Sequence, residues 1–157
     1  MKINFTSLII LYLFSSPLLA NINNAFLEDV SDITQIEFSD GSLYQGQVSE
    51  CLLNLIVVSC MHGKGVYTLR AGSKYAGEFS NNKPNGQGLF KHSDGQSYEG
   101  DFQDGMIDGY GVMIYPNGIR YEGNYKKNKR EGFGIMIFKD AGMYQENSRY
   151  EGQWKND

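Results

Sequence analysis

Residues 98–120 read YEGDFQDGMIDGYGVMIYPNGIR. The stretch opens on Tyr98-Glu99-Gly100 and places an aromatic at Phe102. It turns at Asp104-Gly105, runs through Gly109-Tyr110-Gly111, and turns again at Pro116-Asn117-Gly118. The same pattern starts at Tyr75 and at Tyr121, so the three tyrosines stand 23 residues apart. A fixed period of this length means one small supersecondary unit copied along an axis, each copy completing its neighbour's core.

The motif extends in both directions from this best copy. Tyr-x-Gly recurs as Tyr44/Gly46, Tyr75/Gly77, Tyr121/Gly123 and Tyr150/Gly152. The aromatic at the fifth position recurs as Phe79, Tyr125 and Trp154, with Val48 in the first copy. Gly-x-Gly recurs as Gly63/Gly65, Gly86/Gly88 and Gly132/Gly134. Polar turns lie between the two halves, and Ala71-Gly72, Asp94-Gly95 and Ala141-Gly142 supply the second turn. Asp-Gly and Asn-Gly pairs accept the positive φ that tight hairpin turns need. Each repeat is therefore strand, turn, strand, turn. The predicted fold is all-β, an elongated single-layer antiparallel sheet of consecutive hairpins over residues 34–157. Its repeats start at 44, 75, 98 and 121, with a half repeat at 150.

Alternation assigns the faces. Positions one, three and five of each repeat share a side, so tyrosine, glycine and aromatic point the same way. In the second strand both glycines are expected to share a face with Tyr67, Phe90, Met113 and Met136. A recurring strand glycine marks close approach, here a ring from an adjacent strand laid over bare backbone. The acids Glu78, Glu99, Asp101, Glu122 and Glu151 are expected as one solvated row on the opposite face.

These residues resemble the MORN (membrane occupation and recognition nexus) repeat. The likeness covers residues 44–157 and is best at 98–120. Two insertions depart from it: Ser49 to about Met61, which holds Cys51, Cys60 and the apolar Leu52–Val58, and a second near Met143 to Arg149. The resemblance implies an elongated twisted antiparallel sheet used for attachment, through membrane lipid, self-association or scaffolding of other domains.

The chain begins with a different signal. Lys2, the apolar run Leu8–Phe14, the break at Ser15-Ser16-Pro17 and the small Ala20 form the pattern of a secretory signal peptide over 1–20. An uncleaved anchor is the alternative, although the apolar run falls short of the ~20 residues a span needs. Residues 21–33 read as a polar linker. Export, to a periplasm or the extracellular space, exposes Cys51 and Cys60 to an oxidising compartment, which favours a disulfide over free thiols.

Composition narrows the partners. Aromatics at 13% are too plentiful for a disordered chain. A net charge of −4 lacks the basic stripe that nucleic acid requires. The one basic cluster, Lys126, Lys127, Lys129 and Arg130, reads as a solvated hairpin turn. His62 and His92 fall in separate repeats, so no acid–base pair is expected. Cys51, Cys60 and His62 lack zinc-site spacing. The glycine pairs lack the Lys-Ser/Thr ending of a phosphate loop. No catalytic residue, metal or cofactor is predicted.

Three surfaces are binding candidates. Tyr110, Val112 and Ile114 with Phe133, Ile135 and Ile137 make the face away from the tyrosines apolar late in the chain, which signals an interface or a covering segment. Leu52, Leu53 and Leu55 make the first insertion too apolar for a free loop; it is a longer hairpin or a hydrophobic tip. The last half hairpin leaves a strand edge that invites pairing, as a contact in a dimer; the alternative is that the chain is a shortened copy of a longer protein. The expected function is an exported, non-enzymatic module that binds another protein or a second copy of itself; a membrane-lipid surface is the alternative.

Overall fold

The computed structural model describes Leu27 and residues 32–53, 56–138 and 148–157. The signal-peptide reading, most of the linker, the Ala141-Gly142 turn, Leu55 and the insertion at 143–147 lie outside the described residues. The strands are β1 (Thr34–Glu37), β2 (Leu43–Leu53), β3 (Ile56–Thr68), β4 (Lys74–Ser80), β5 (Lys83–Lys91), β6 (Ser97–Gln103), β7 (Met106–Ile114), β8 (Arg120–Lys126), β9 (Lys129–Phe138) and β10 (Ser148–Lys155). They form one sheet whose spatial order is the sequence order, and every neighbour pair is antiparallel. The structure is the predicted run of hairpins.

Two kinds of turn alternate. Within a repeat the connection is two residues, both left-handed: Asn81 (φ 49°) and Asn82 (66°), or Lys127 (48°) and Asn128 (67°). That geometry matches the twist of the flanking strands. Asn82 and Asn128 also reach back across the sheet. Their Oδ1 atoms accept the backbone N–H of Met61 and of Ile107, each at 2.8 Å. Between repeats the turn is longer. His92 N–H donates to the Gln96 carbonyl at 2.8 Å, and Gly95 N–H donates to the His92 carbonyl at 3.1 Å. Phe38 to Ser42 repeats this arrangement between β1 and β2.

The register lines up one glycine from every strand after β1. Gly46, Gly65, Gly77, Gly88, Gly100, Gly111, Gly123, Gly134 and Gly152 pair in succession across the sheet. The tyrosine rings lie over this bare strip. Tyr75 covers Gly77 and Gly88, and Tyr98 covers Gly100 and Gly111. Each hydroxyl donates to the carbonyl three residues on: Tyr44 to Gln47 at 2.6 Å, Tyr75 to Glu78 at 2.9 Å, Tyr98 to Asp101 at 3.2 Å and Tyr121 to Asn124 at 3.1 Å. The ring lies flat because its polar end has a backbone partner beside the glycines.

The fifth-position aromatics bridge one tyrosine to the next. Tyr44, Phe79, Tyr75, Phe102, Tyr98, Tyr125, Tyr121, Trp154 and Tyr150 form a zigzag with centroids 5.0–5.4 Å apart and interplanar angles of 80–89°. Edge-to-face pairs contribute roughly 0.5–1.5 kcal/mol each beyond their burial. This ladder, with Met61, Met113 and Met136, is the core of a sheet that has no second layer among the described residues.

The structure corrects the expectation for the first glycine of each pair. Gly63, Gly86, Gly109 and Gly132 do not make room for rings. They take positive φ where the ladder slips, as between Gly77 and Phe79 opposite Gly88 and Pro84. A Cβ on Gly86 (φ 98°) would meet Glu78 on the far face. The bulge inverts the alternation, so faces counted by strict period two fail there.

Candidate interaction surfaces

The bulges explain the acids on the outer face, the side away from the rings. The residue after each Tyr-x-Gly aims its side chain at the loosened backbone between the next two glycines. Gln47 Oε1 accepts from Lys64 N–H at 2.9 Å, and Asp101 Oδ2 accepts from Tyr110 N–H at 2.7 Å. Glu78 Oε1 accepts from Gln87 N–H at 3.4 Å. Asn124 instead donates to the Phe133 carbonyl at 3.1 Å. Glu99, Glu122 and Glu151 form a separate row one step away. The single expected row is thus two, and the row holding Glu78 and Asp101 has a structural task. Sequence reasoning missed it because the signal is positional: a polar side chain four residues after the start of β2, β4, β6 and β8.

The late outer face carries two apolar columns. Tyr110, Val112 and Ile114 belong to β7, and Phe133, Ile135 and Ile137 to β9. Arg120, Glu122 and Asn124 of β8 stand between them, so the columns are about 10 Å apart. Tyr110 Oη donates to Glu122 Oε1 at 2.8 Å, and Arg120 pairs with the same carboxylate at 2.6 Å. The Tyr110 hydroxyl first, then Arg120, hold Glu122 below the usual carboxylate range. Tyr110 is 51% exposed, Ile114 43% and Phe133 47%; Val112, Ile135 and Ile137 are half-buried. By contrast Val66 and Ala76, on the same face in β3 and β4, are buried.

The first insertion extends the β2–β3 ladder from Ser49↔Cys60 to Leu53↔Ile56. Cys51 and Cys60 are joined by a disulfide with Cα atoms 5.9 Å apart. Cys60 is buried and Asn82 Nδ2 donates to its sulfur at 3.0 Å. Leu52 and Val57 face each other across the ladder, and both side chains are exposed. Leu53 lies in the strand, paired with Ile56.

The ring face carries a cavity of about 400 Å³ that the sequence did not announce. Tyr67, Leu69, Pro84 and Phe90 line it together with the core rings Tyr75, Phe79 and Phe102. It forms because β3 to β6 bring side chains from two repeats around one hollow, which no single repeat displays.

The polar groups considered for chemistry stay apart. His62 is exposed, and His92 pairs with Asp94 at 2.8 Å on a turn. Among the described residues no three His, Cys, Asp or Glu side chains gather as a metal site. The basic cluster divides. Lys126 pairs with Asp108 at 2.9 Å, and Arg130 packs 4.3 Å over the Trp154 ring while pairing with Asp157 at 3.2 Å. Among the described residues no helix is long and apolar enough to cross a membrane.

A single-layer hairpin sheet with an interlocking ring ladder and open apolar columns defines a repeat scaffold of the interaction class. Residues 61–74, 75–97, 98–120, 121–143 and 150–157 match the MORN repeat model, and the chain belongs to the MORN repeat family. The match starts at Met61, although Tyr44 covers Gly46 and Gly65 as its counterparts do. No curated protein matches the chain. MORN repeats are in general modules for protein and membrane interaction, and the family is typically non-enzymatic.

Proposed function

We propose that this chain is an exported, non-enzymatic module that binds another protein or a second copy of itself through the outer face of its late repeats. The observation that carries this is the exposure of Tyr110, Ile114 and Phe133 in two parallel apolar columns. Isolated exposed apolar residues need no explanation, but ordered columns of them on one face favour a covered surface. The Arg120–Glu122–Tyr110 network between the columns gives the partner a polar register to match. Export is supported by the 1–20 sequence pattern and by the Cys51–Cys60 disulfide.

Membrane lipid has less in its favour as the partner. Lys126 and Arg130 already hold carboxylates, and the net charge of −4 opposes anionic bilayers. Sedimentation velocity of the exported chain, with a double Tyr110→Ser, Phe133→Ser variant beside it, tests the reading, together with affinity capture from the medium it is exported into. The expected result is association or capture by the parent that the variant loses. A strictly monomeric parent that captures nothing, or a variant that behaves as the parent does, would overturn it.

A further inference from the structure

The first insertion carries a strand edge that lies within the run of hairpins, not at either end of the sheet. β2 pairs with β1 only over Leu43–Gly46, and β3 pairs with β4 only over Gly63–Thr68. The β4–β5 turn adds one further contact. Asn82 N–H donates to the Met61 carbonyl at 3.1 Å, and Asn82 Oδ1 accepts the Met61 N–H at 2.8 Å. Beyond Met61 the two strands continue together, from Ser49↔Cys60 to Leu53↔Ile56, as a two-stranded arm that projects past the short turns. Alternate residues of β3 turn their N–H and C=O away from β2. Over residues 56–59 those groups have no strand beside them among the described residues.

This edge lacks the devices that keep strand edges apart, which are charge, proline and bulges. Residues 56–60 contain neither charge nor proline, and Glu50 is the single charged residue from 49 to 60. The arm ladder runs without a register shift from Val48↔Met61 outward. Val57 stands four residues from the core residue Met61, so Val57 and its partner Leu52 share the ring-face side. Both are open there, Val57 at 62% and Leu52 at 67%. The Cys51–Cys60 disulfide lies on the opposite side and ties the two strands. It leaves the arm two strands wide, and a two-stranded ribbon is marginal by itself.

We propose that the β3 edge of this arm, residues 56–59, docks the same edge of a second copy, paired antiparallel about a two-fold axis at Val57. Symmetry favours this occupant. A two-fold axis perpendicular to the sheet makes one patch complementary to itself and centres the pairing on a single residue. With Val57 at the centre, each Val57 faces its counterpart. Leu52, Val57 and their two counterparts then form one apolar row across four strands. The two Glu50 carboxylates fall on the outermost strands of the four, so no like charges meet. Four strands also supply the width that one arm lacks. A foreign strand would satisfy the same backbone groups, but only a second copy brings this uncharged edge and its apolar row in matching register. The contact is short, well below the size of a permanent interface, so the dimer is weak and depends on concentration.

The arm is a different surface from the outer columns, so the two readings can fail separately. Sedimentation velocity of the full-length exported chain, with its disulfide formed, reads the dimer over a concentration series. Amide exchange at low and high concentration locates it. The expected result is a concentration-dependent dimer with added protection at residues 56–59. Val57→Lys should weaken association by about tenfold or more, because two like charges would stand opposite each other. Its circular dichroism should stay intact, since the side chain it replaces is exposed. Val57→Ile keeps the apolar row and should dimerise as the parent does. The Tyr110→Ser, Phe133→Ser variant should keep this dimer while losing capture by the outer face. A parent that stays monomeric at high concentration, a Val57→Lys variant that dimerises as the parent does, a dimer without added protection at 56–59, or one that the Tyr110→Ser, Phe133→Ser variant abolishes would each overturn the assignment.

Discussion

The ring carbon Cζ of Tyr98 lies 2.5 Å from the point a Cβ on Gly111 would occupy. The two residues belong to different strands of one hairpin, and the space one lacks is the space the other fills. Gly111 shows no left-handed φ, so Gly111→Ala tests sterics alone. The ring would have to lift off, giving up its packing and its bond to the Asp101 carbonyl. The expected cost is about 3–5 kcal/mol, the scale of losing a buried aromatic. Gly95→Ala is the control: nothing lies within 4 Å, and only its positive φ is strained, for about 1–2 kcal/mol. Chemical denaturation of both variants separates them.

Tyr125 breaks the pattern of satisfied hydroxyls. Its ring is buried in the ladder, yet its Oη finds no hydrogen-bond partner among the described residues. Burial pushes its ionisation well above the ordinary tyrosine range. The equivalent positions in the two preceding repeats are Phe79 and Phe102. Tyr125→Phe is therefore expected to stabilise the fold by about 1 kcal/mol, whereas Tyr98→Phe, which loses a made bond, should cost about 1 kcal/mol. Opposite signs in paired thermal melts are the readout.

Reduction should act locally. The Cys51–Cys60 bridge closes a short hairpin loop, for which cross-linking contributes about 2–3 kcal/mol. A reductant, or the Cys51→Ser, Cys60→Ser double variant, is expected to lower the melting midpoint. Amide exchange should rise in the outer part of β2 and β3 while β6 to β9 keep their protection. A uniform rise across all strands would contradict a sheet whose repeats contact only their neighbours.

High pH should unfold the protein through the ladder. Burial pushes the Tyr44 hydroxyl up to about 12 and raises Tyr75, Tyr98, Tyr121 and Tyr125 as well. The folded chain thus keeps protons that the unfolded chain releases near pH 10. The unfolded state binds fewer protons there, so stability falls as pH rises beyond about 10 and is flat with respect to these groups below it. Tyrosinate absorbance should lag in the native protein and appear together with loss of β-sheet dichroism.

The hairpin fold was legible because its determinants are local and repeated. Tyr-x-Gly, Gly-x-Gly and the Asp-Gly and Asn-Gly turns each act within one repeat, and their spacing specified strand order and faces. The bulges at Gly86 and Gly109 were not legible, since a slipped register depends on which side chain, Glu78 or Asp101, catches the freed N–H across the hairpin. The candidate outer columns followed from alternation, whereas the polar strand β8 between them followed only once the register was known. The ring-face cavity depends on ring poses across strands, which residue order alone does not encode.

The sheet is held by rings lying over the glycine strip, and proton NMR reads that contact directly. The Hα resonances of Gly65, Gly88, Gly111 and Gly134, assigned in the full-length chain, are predicted to be shifted strongly upfield by the rings of Tyr44, Tyr75, Tyr98 and Tyr121. Those of Gly72 and Gly95, which have nothing above them, should stay in the ordinary glycine range. Ordinary shifts at all six glycines would contradict it.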